Sequence, residues 1–259
     1  MIIKGYSFRA KNQKQILSGF KKILKTGMIS EGEYSNKLSN ICKRIIKSNY
    51  IVTVSSGSAA LNVLYRYLRV KMGIKRIGIP TNTFYATYRM AETAGLEPVL
   101  LPCKELLLDY DKAKEIINKK SLKSICMVHN GGFIEKEFIE FNKWCKSNKV
   151  VLVEDCAHAL GSSINNKHCG NFGIAGAFSF FATKTIAAGE GGIISTNNRQ
   201  VYEFCENYKN YGKKEKWVSY HSFHGENLRM NEFSAVVAYN QVKKINNILN
   251  ERKEIVDIY

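Results

Sequence analysis

A chain of 259 residues with 45% apolar and 24% charged side chains has the balance of a globular protein, long enough for one large α/β domain or two small ones. No apolar run reaches the ~18 residues of a membrane span, and the N-terminal stretch MIIKGYSFRAKNQKQ is too weakly apolar for a secretory signal, so a cytoplasmic protein with no membrane partner is expected. The net charge of +17 raises nucleic acid as a partner, but the lysines are spread along the whole chain without a nucleic-acid-binding signature, so they read as a solvated basic surface, one that also suits a substrate carrying a diphosphate.

The seven cysteines are odd in number and contain no C-x-x-C pair, which fits reduced thiols rather than a disulfide frame. His221 and His224 have H-x-x-H spacing, but no further ligand cluster joins them, and no metal is expected.

Apolar residues at helical spacing predict a helix over Gln15–Lys25, stopped by the glycines of Thr26–Gly32, and a second helix over Glu33–Lys47. Ile51–Val54 reads as a strand. Ser55-Ser56-Gly57-Ser58 follows it, and a helix begins at Ala59-Ala60-Leu61. A strand, a Ser/Gly turn and a helix start gather free N–H groups at the positive end of a helix, where an anion can sit. A serine N-cap has the same sequence signature. Arg76–Pro80 is the next strand. Thr81–Thr87 leads from it into a helix, and Leu96–Leu101 returns as a strand. A helix over Leu108–Lys120, a strand over Ser124–Val128, a glycine turn at His129–Phe133 and a helix over Phe138–Ser147 come next. This alternation predicts a mostly parallel sheet with helices on both faces.

The stretch Val151–Thr196 is the centre of the chain. Val151-Leu152-Val153 reads as a buried parallel strand, and it ends in Glu154-Asp155, where the sites of α/β folds collect. A second apolar run covers Ala177–Phe181 and a third starts at Ile193-Ile194. Between them one lysine, Lys184, stands among Ala182, Thr183, Thr185, Ala187, Ala188, Gly189, Gly191 and Gly192. An amine withdrawn from water loses its proton more readily, and a neutral lysine attacks carbonyls to give an imine. An acid at a neighbouring strand end could keep a pyridine nitrogen protonated, the pairing that makes pyridoxal phosphate (PLP) an electron sink. Taken singly, a loop lysine is more often a solvated charge. Beyond Thr196 the chain reads as a helix through Tyr208, a polar aromatic loop over Lys213–Phe223, and one long helix from Asn231 to the end whose apolar positions include Val236, Val242, Ile245, Leu249 and Val256.

In order and spacing, EDCAHALG, GAFSF, the TK of Thr183-Lys184 and GEGG resemble the DegT-type sugar aminotransferases, fold-type-I PLP enzymes of the aspartate aminotransferase superfamily. Outside that stretch SGSAAL, PTNTFYAT, YKNYG and GENLRMNE resemble family segments as well, and the likeness spans Thr26 to Tyr259. It implies the fold-type-I large domain over residues 1–230, followed by a helix over 231–259 that leads towards a smaller C-terminal domain expected to be missing.

The resemblance also implies roles. Lys184 would bond to the cofactor aldehyde and shuttle protons. Asp155 would pair with the ring nitrogen, and Gly57, Ser58, Ala59 and Ser179 would cradle the phosphate. Phe84 would stack on the ring, and His158, where glutamine is frequent, would lie near the ring oxygen. Asn227 would reach the phosphate of a neighbouring subunit, which implies a homodimer or a complex with a second chain. The implied reaction moves an amino group from glutamate to a keto group on a nucleotide-linked deoxysugar. Related dehydratases carry histidine at the lysine position. The alternative is a catalytically weak PLP-binding subunit that needs a partner chain. The apolar stripe over Val242–Val256 is expected to pack against another chain or copy.

Overall fold

The computed structural model describes residues 12–215 and 219–258. Residues 216–218 of the loop expected over Lys213–Phe223 lie outside the described residues, as does the N-terminal stretch 1–11.

The elements alternate as the sequence suggests. They are α1 (Gln13–Thr26), α2 (Glu33–Ile46), β1 (Tyr50–Val54), α3 (Gly57–Lys71), β2 (Arg76–Pro80), α4 (Tyr85–Thr93), β3 (Glu97–Leu101), a small hairpin of β4 (Cys103–Lys104) and β5 (Leu107–Leu108), α5 (Tyr110–Lys119), β6 (Ser124–Val128) and α6 (Glu137–Ser147). Then come β7 (Val151–Asp155), a second small hairpin of β8 (Ser163–Ile164) and β9 (Lys167–His168), β10 (Ala175–Ser179), β11 (Gly192–Thr196), α7 (Arg199–Tyr208), α8 (Glu232–Val242) and α9 (Ile245–Val256). Seven strands form one sheet in the order β1-β11-β10-β7-β6-β2-β3. β11 runs antiparallel to both of its neighbours, and the remaining pairings are parallel.

Period-two alternation distributes the strand side chains between two cores. Val52, Val54, Ile77, Ile79, Val153, Ala177 and Ile194 face α3, α4 and α7. On the other face Ile51, Phe178 and Ile193 pack with α2 and α8, and Val99, Ile125 and Leu152 with α5 and α6. β10 has weak β-propensity in AGAFS, yet only a glycine fits at position 176, where a Cβ would lie 2.4 Å from the Gly170 Cα.

The expected single C-terminal helix is two. α8 is apolar around its circumference and sits against α1 and α2. The chain then bends at Lys243–Lys244, and the bend carries Ile245 and Leu249 onto Gly161, where a Cβ would lie 2.7 Å from Leu249 Cδ1. The stripe expected to await a partner is thus covered in its first half by its own chain: Val242 and Ile245 are buried, and Ile248 and Leu249 half-buried. Ile255 and Val256 remain exposed.

Two glutamates tie distant segments together. Glu232 accepts the Tyr34 and Ser35 N–H groups at 2.7 and 2.8 Å, capping α2, whose own N-cap is Gly32. Glu154 is buried on the face of β7 opposite Asp155. Its oxygens meet the N–H groups of Gly170, Phe172 and Gly173 at 2.6–2.9 Å and His129 Nε2 at 2.9 Å. It therefore supplies the acceptors for a loop that no strand pairs. Glu154→Ala is expected to destabilise the protein by about 3–5 kcal/mol, because three N–H groups and a histidine lose their partner inside the core. Urea unfolding measures this, and a cost below about 1 kcal/mol would contradict the assignment.

Candidate active site

The carboxyl ends of β1, β2, β6, β7 and β10 meet at one rim of the sheet, and a cavity of about 650 Å³ opens there. This is where parallel sheets gather ligands, since helix N-termini and loop amides converge at that end. Gly57, Ser58, Phe84, Asp155, His158, Ser179 and Lys184 all line it. Of the nine residues expected from the sequence, Ala59 and Asn227 are not among the lining residues. The Ala59 N–H donates to Ser56 Oγ at 3.0 Å, so it serves the helix cap. Asn227 forms an antiparallel bridge with Asn210, and the phosphate expected to meet it is a neighbouring subunit's.

The base of the cavity is formed by the ends of β6, β7 and β10, at Val128, Asp155 and Ser179, and by the first turn of α3. Gly192 lies between Val54 and Ser179 in register. The chain leaving β1 passes so close to β10 that a Cβ at Gly57 would lie 2.7 Å from the Ser179 Cβ. Glycine there brings the first turn of α3 against the Ser179 hydroxyl, and Ser56, in extended conformation, caps the helix. The Gly57 and Ser58 amides at the helix start and the two serine hydroxyls make a cradle for a doubly charged anion.

Asp155 closes β7. It accepts a hydrogen bond from Thr87 Oγ1 at 2.8 Å and another from the Ala157 N–H at 3.1 Å, and its own carbonyl holds the His129 N–H. Thr87 is fully buried and shares a further hydroxyl contact with Thr83 at 2.7 Å. Phe84 stands at the cavity wall, 76% exposed, at the N-cap of α4.

Lys184 sits in the loop that joins β10 to β11. The loop closes through Phe180 N–H to the Gly191 carbonyl and Ala188 N–H to the Phe180 carbonyl, both 2.8 Å, and the buried Ile186 anchors it. Burial lowers the Lys184 pKa from the ordinary value, and the negative charge of Asp155 partly opposes this. His158 is also shifted down, first by burial and then by the Lys184 charge. Its Nδ1 accepts the Gly131 N–H at 3.2 Å, so in the neutral ring the proton sits on Nε2 and is available as a donor.

Thr83, Thr87, Asn82, Thr183 and Glu190 also belong to the lining, and the sequence reading gave them no role. The i, i+4 threonine spacing at the start of α4 was the available signal for Thr83 and Thr87. Thr87→Val keeps the shape and removes the donor to Asp155. A loss of about 1–3 kcal/mol in stability is expected, and an unchanged unfolding midpoint would contradict it.

A basic nitrogen, a buried carboxylate and a helix start thus share one cavity at the carboxyl rim of an α/β sheet. The profile of the DegT/DnrJ/EryC1/StrS aminotransferase family matches residues 10–259, and this chain belongs to that family. It is 31% identical over 237 residues to the GDP-perosamine synthase of Escherichia coli O157:H7, covering 90% of this chain and 64% of that protein. The solved structure of PseC from Helicobacter pylori, an aminotransferase of pseudaminic acid biosynthesis, superposes with a TM-score of 0.86 at 26% identity, over 96% of this chain and 66% of that one. The fold also matches Escherichia coli GDP-4-keto-6-deoxy-D-mannose-3-dehydratase, solved with bound hydrated PLP, with a TM-score of 0.88 at 24% identity, covering 96% of this chain and 70% of that one. The chain spans just under two thirds of the length of the first curated relatives it matches. Among the described residues no helix is long and apolar enough to cross a membrane.

Proposed function

We propose that this chain binds PLP in the cavity and transfers an amino group from glutamate to a keto group of a nucleotide-linked deoxysugar. The observation that carries the reading is the sharing of one cavity by Lys184, Asp155 and the Gly57–Ser58–Ser179 cradle. The residues fit the cofactor. The cradle admits a phosphate because Gly57 has no side chain, the buried carboxylate suits a protonated ring nitrogen, and the depressed lysine suits an aldehyde. When bound, PLP supplies the electron sink that lets a proton leave the carbon bearing the amine.

The chain's own groups do the rest. Gly57 and Ser58 amides with the Ser179 hydroxyl bind the phosphate. Asp155, fixed by Thr87 and the Ala157 N–H, holds a proton at the ring nitrogen. Phe84 orients the flat ring, and His158 Nε2 donates a hydrogen bond into the cavity. Lys184 would hold the cofactor at its aldehyde, and its amine, when uncharged, would serve as the base that takes and returns the proton. A lysine does this at neutral pH only if it spends time uncharged, which its burial promotes.

A second reading is a weakly active PLP-binding subunit that needs a partner chain. It is favoured by the cavity mouth, where Phe84 and Phe181 line the cavity and are both exposed. A homodimer, with Asn227 reaching the neighbouring phosphate, covers such a mouth. Incubating the purified protein with PLP, glutamate and a panel of nucleotide-linked keto-sugars separates the two. Appearance of amino-sugar and 2-oxoglutarate supports the first reading. Cofactor binding without turnover supports the second.

A further inference from the structure

On the Glu154 face of β7, beside the cavity that His129 also lines, four chemically reactive groups meet. One nitrogen of His129, one oxygen of Glu154 and the sulfurs of Cys156 and Cys169 all lie within 4.8 Å of one another, and all four residues are buried. The cofactor cavity makes no use of the two thiols. Cys156 follows Asp155 in the chain, and its sulfur packs against Gly176. Cys169 follows β9, with its N–H on the Ser162 carbonyl at 3.0 Å.

The two sulfurs are in unequal surroundings. Burial holds the Cys156 thiol protonated, well above the ordinary thiol range. Cys169 is held below its ordinary value by hydrogen bonding from Cys156, against the cost of burial, with His129 adding to the effect. Burial opposes charge on His129, but the Cys169 sulfur and Glu154 more than offset it and raise the imidazole to about 10. His129 Nδ1 is itself buried without a hydrogen-bond partner. A cation cage is a poorer account of the cluster, because the Glu154 oxygens are already engaged by three N–H groups and His129. By contrast, Cys42, Cys126 and Cys205 are buried thiols pushed up by desolvation, and Cys145 is raised to about 12.

We propose that Cys156 and Cys169 are a peroxide-sensitive thiol pair that closes to a disulfide, with Cys169 as the attacking sulfur and Cys156 as the resolving one. Access comes from the β8–β9 hairpin that precedes Cys169. It has two residues per strand and turns through Asn165 and Asn166, both at positive φ, so local opening of a surface hairpin uncovers the sulfur without unfolding the sheet. In the first step the Cys169 thiolate forms a bond to one oxygen of hydrogen peroxide and breaks the O–O bond. Cys169 becomes a sulfenic acid, and the departing hydroxide takes a proton to leave as water. In the second step the Cys156 sulfur attacks the Cys169 sulfur and expels the hydroxyl group, which leaves as water with the Cys156 proton. Two thiols and one peroxide give one disulfide and two waters. The product joins the end of the Asp155 strand to the loop that Glu154 organises.

The test uses the full chain carrying Cys103→Ala, which removes the one half-exposed thiol. The protein is treated with stoichiometric hydrogen peroxide, its remaining thiols are blocked under denaturing conditions, and the digest is mapped by mass spectrometry. The expected result is a 156–169 linked peptide pair, reversed by dithiothreitol, that forms at least about tenfold faster than any oxidation at Cys126 or Cys205. In Cys156→Ser the sulfenic acid at Cys169 has no resolving partner, and dimedone labelling at Cys169 is expected. If both thiols remain titratable at a peroxide dose that oxidises Cys103 in the unsubstituted protein, the proposal fails. Stoichiometric zinc in the purified protein, lost in either cysteine variant, would overturn it in favour of a cation site. If Cys156→Ser does not fold, the peptide map of the Cys103→Ala protein decides alone.

Discussion

Replacing Lys184 with alanine is expected to lower kcat/KM by at least about 10³-fold and to abolish covalent attachment of PLP, while the folded chain survives. The side chain is half-buried, in a loop held by backbone hydrogen bonds and by Ile186, so the fold does not depend on its amine. The variant is expected to unfold at nearly the same urea concentration as the parent. Its residual PLP binding rests on the phosphate cradle and Asp155. Attachment also has a pH signature. A lysine whose pKa is lowered is protonated below that value and reactive above it, so the rate of attachment rises with pH. Its midpoint is expected below the ordinary lysine value of 10.5. Stopped-flow mixing of apo-protein with PLP across pH gives that midpoint. A value at or above 10.5 would place Lys184 in open water and contradict the cavity reading.

Asp155→Asn carries the second large effect. The carboxylate is buried, held by Thr87 and by the Ala157 N–H, and shares its cavity with Lys184. Asparagine keeps one acceptor oxygen where the carboxylate offers one to each donor, and it cannot hold a positive charge at the ring nitrogen. A charge-assisted hydrogen bond is worth about 1.5–3 kcal/mol, so PLP affinity is expected to fall roughly 10–150-fold. Turnover is expected to fall further, since the electron sink needs the protonated ring. The apo-protein is expected to change by less than about 1 kcal/mol, because relief from burying a charge offsets the one hydrogen bond that the amide cannot accept. Thermal unfolding with and without PLP separates these effects: the apo midpoint stays and the cofactor-induced gain shrinks. An apo-protein that collapses, with the gain intact, would make Asp155 a structural residue.

The lysine and the acid were singled out by the resemblance of their neighbouring motifs, since position alone would have left them a loop charge and a cap; they line one cavity. Gly57 and Ser58, expected on the same ground, line that cavity too. What joins these residues was not legible in the sequence. The Thr87–Asp155 bond links positions 68 residues apart, and no local pattern marks it. Glu154 looked like a second strand-end acid. Its role depends on a loop that folds back over the opposite face, and that return is a tertiary event. Ala59 was expected in the phosphate cradle with Gly57 and Ser58; its N–H meets the Ser56 hydroxyl, a helix cap that the Ser/Gly turn encodes as readily as an anion site. Apolar residues continue through both C-terminal helices, which hid the break between them, and the bend seats Ile245 and Leu249 against Gly161, far away in the chain.

The most direct measurement reduces the PLP-loaded protein with borohydride, digests it and locates the pyridoxyl label by mass spectrometry. One label per chain on the peptide containing Lys184 is the predicted result. A label spread over surface lysines, or none on that peptide while the protein holds PLP, would contradict the account.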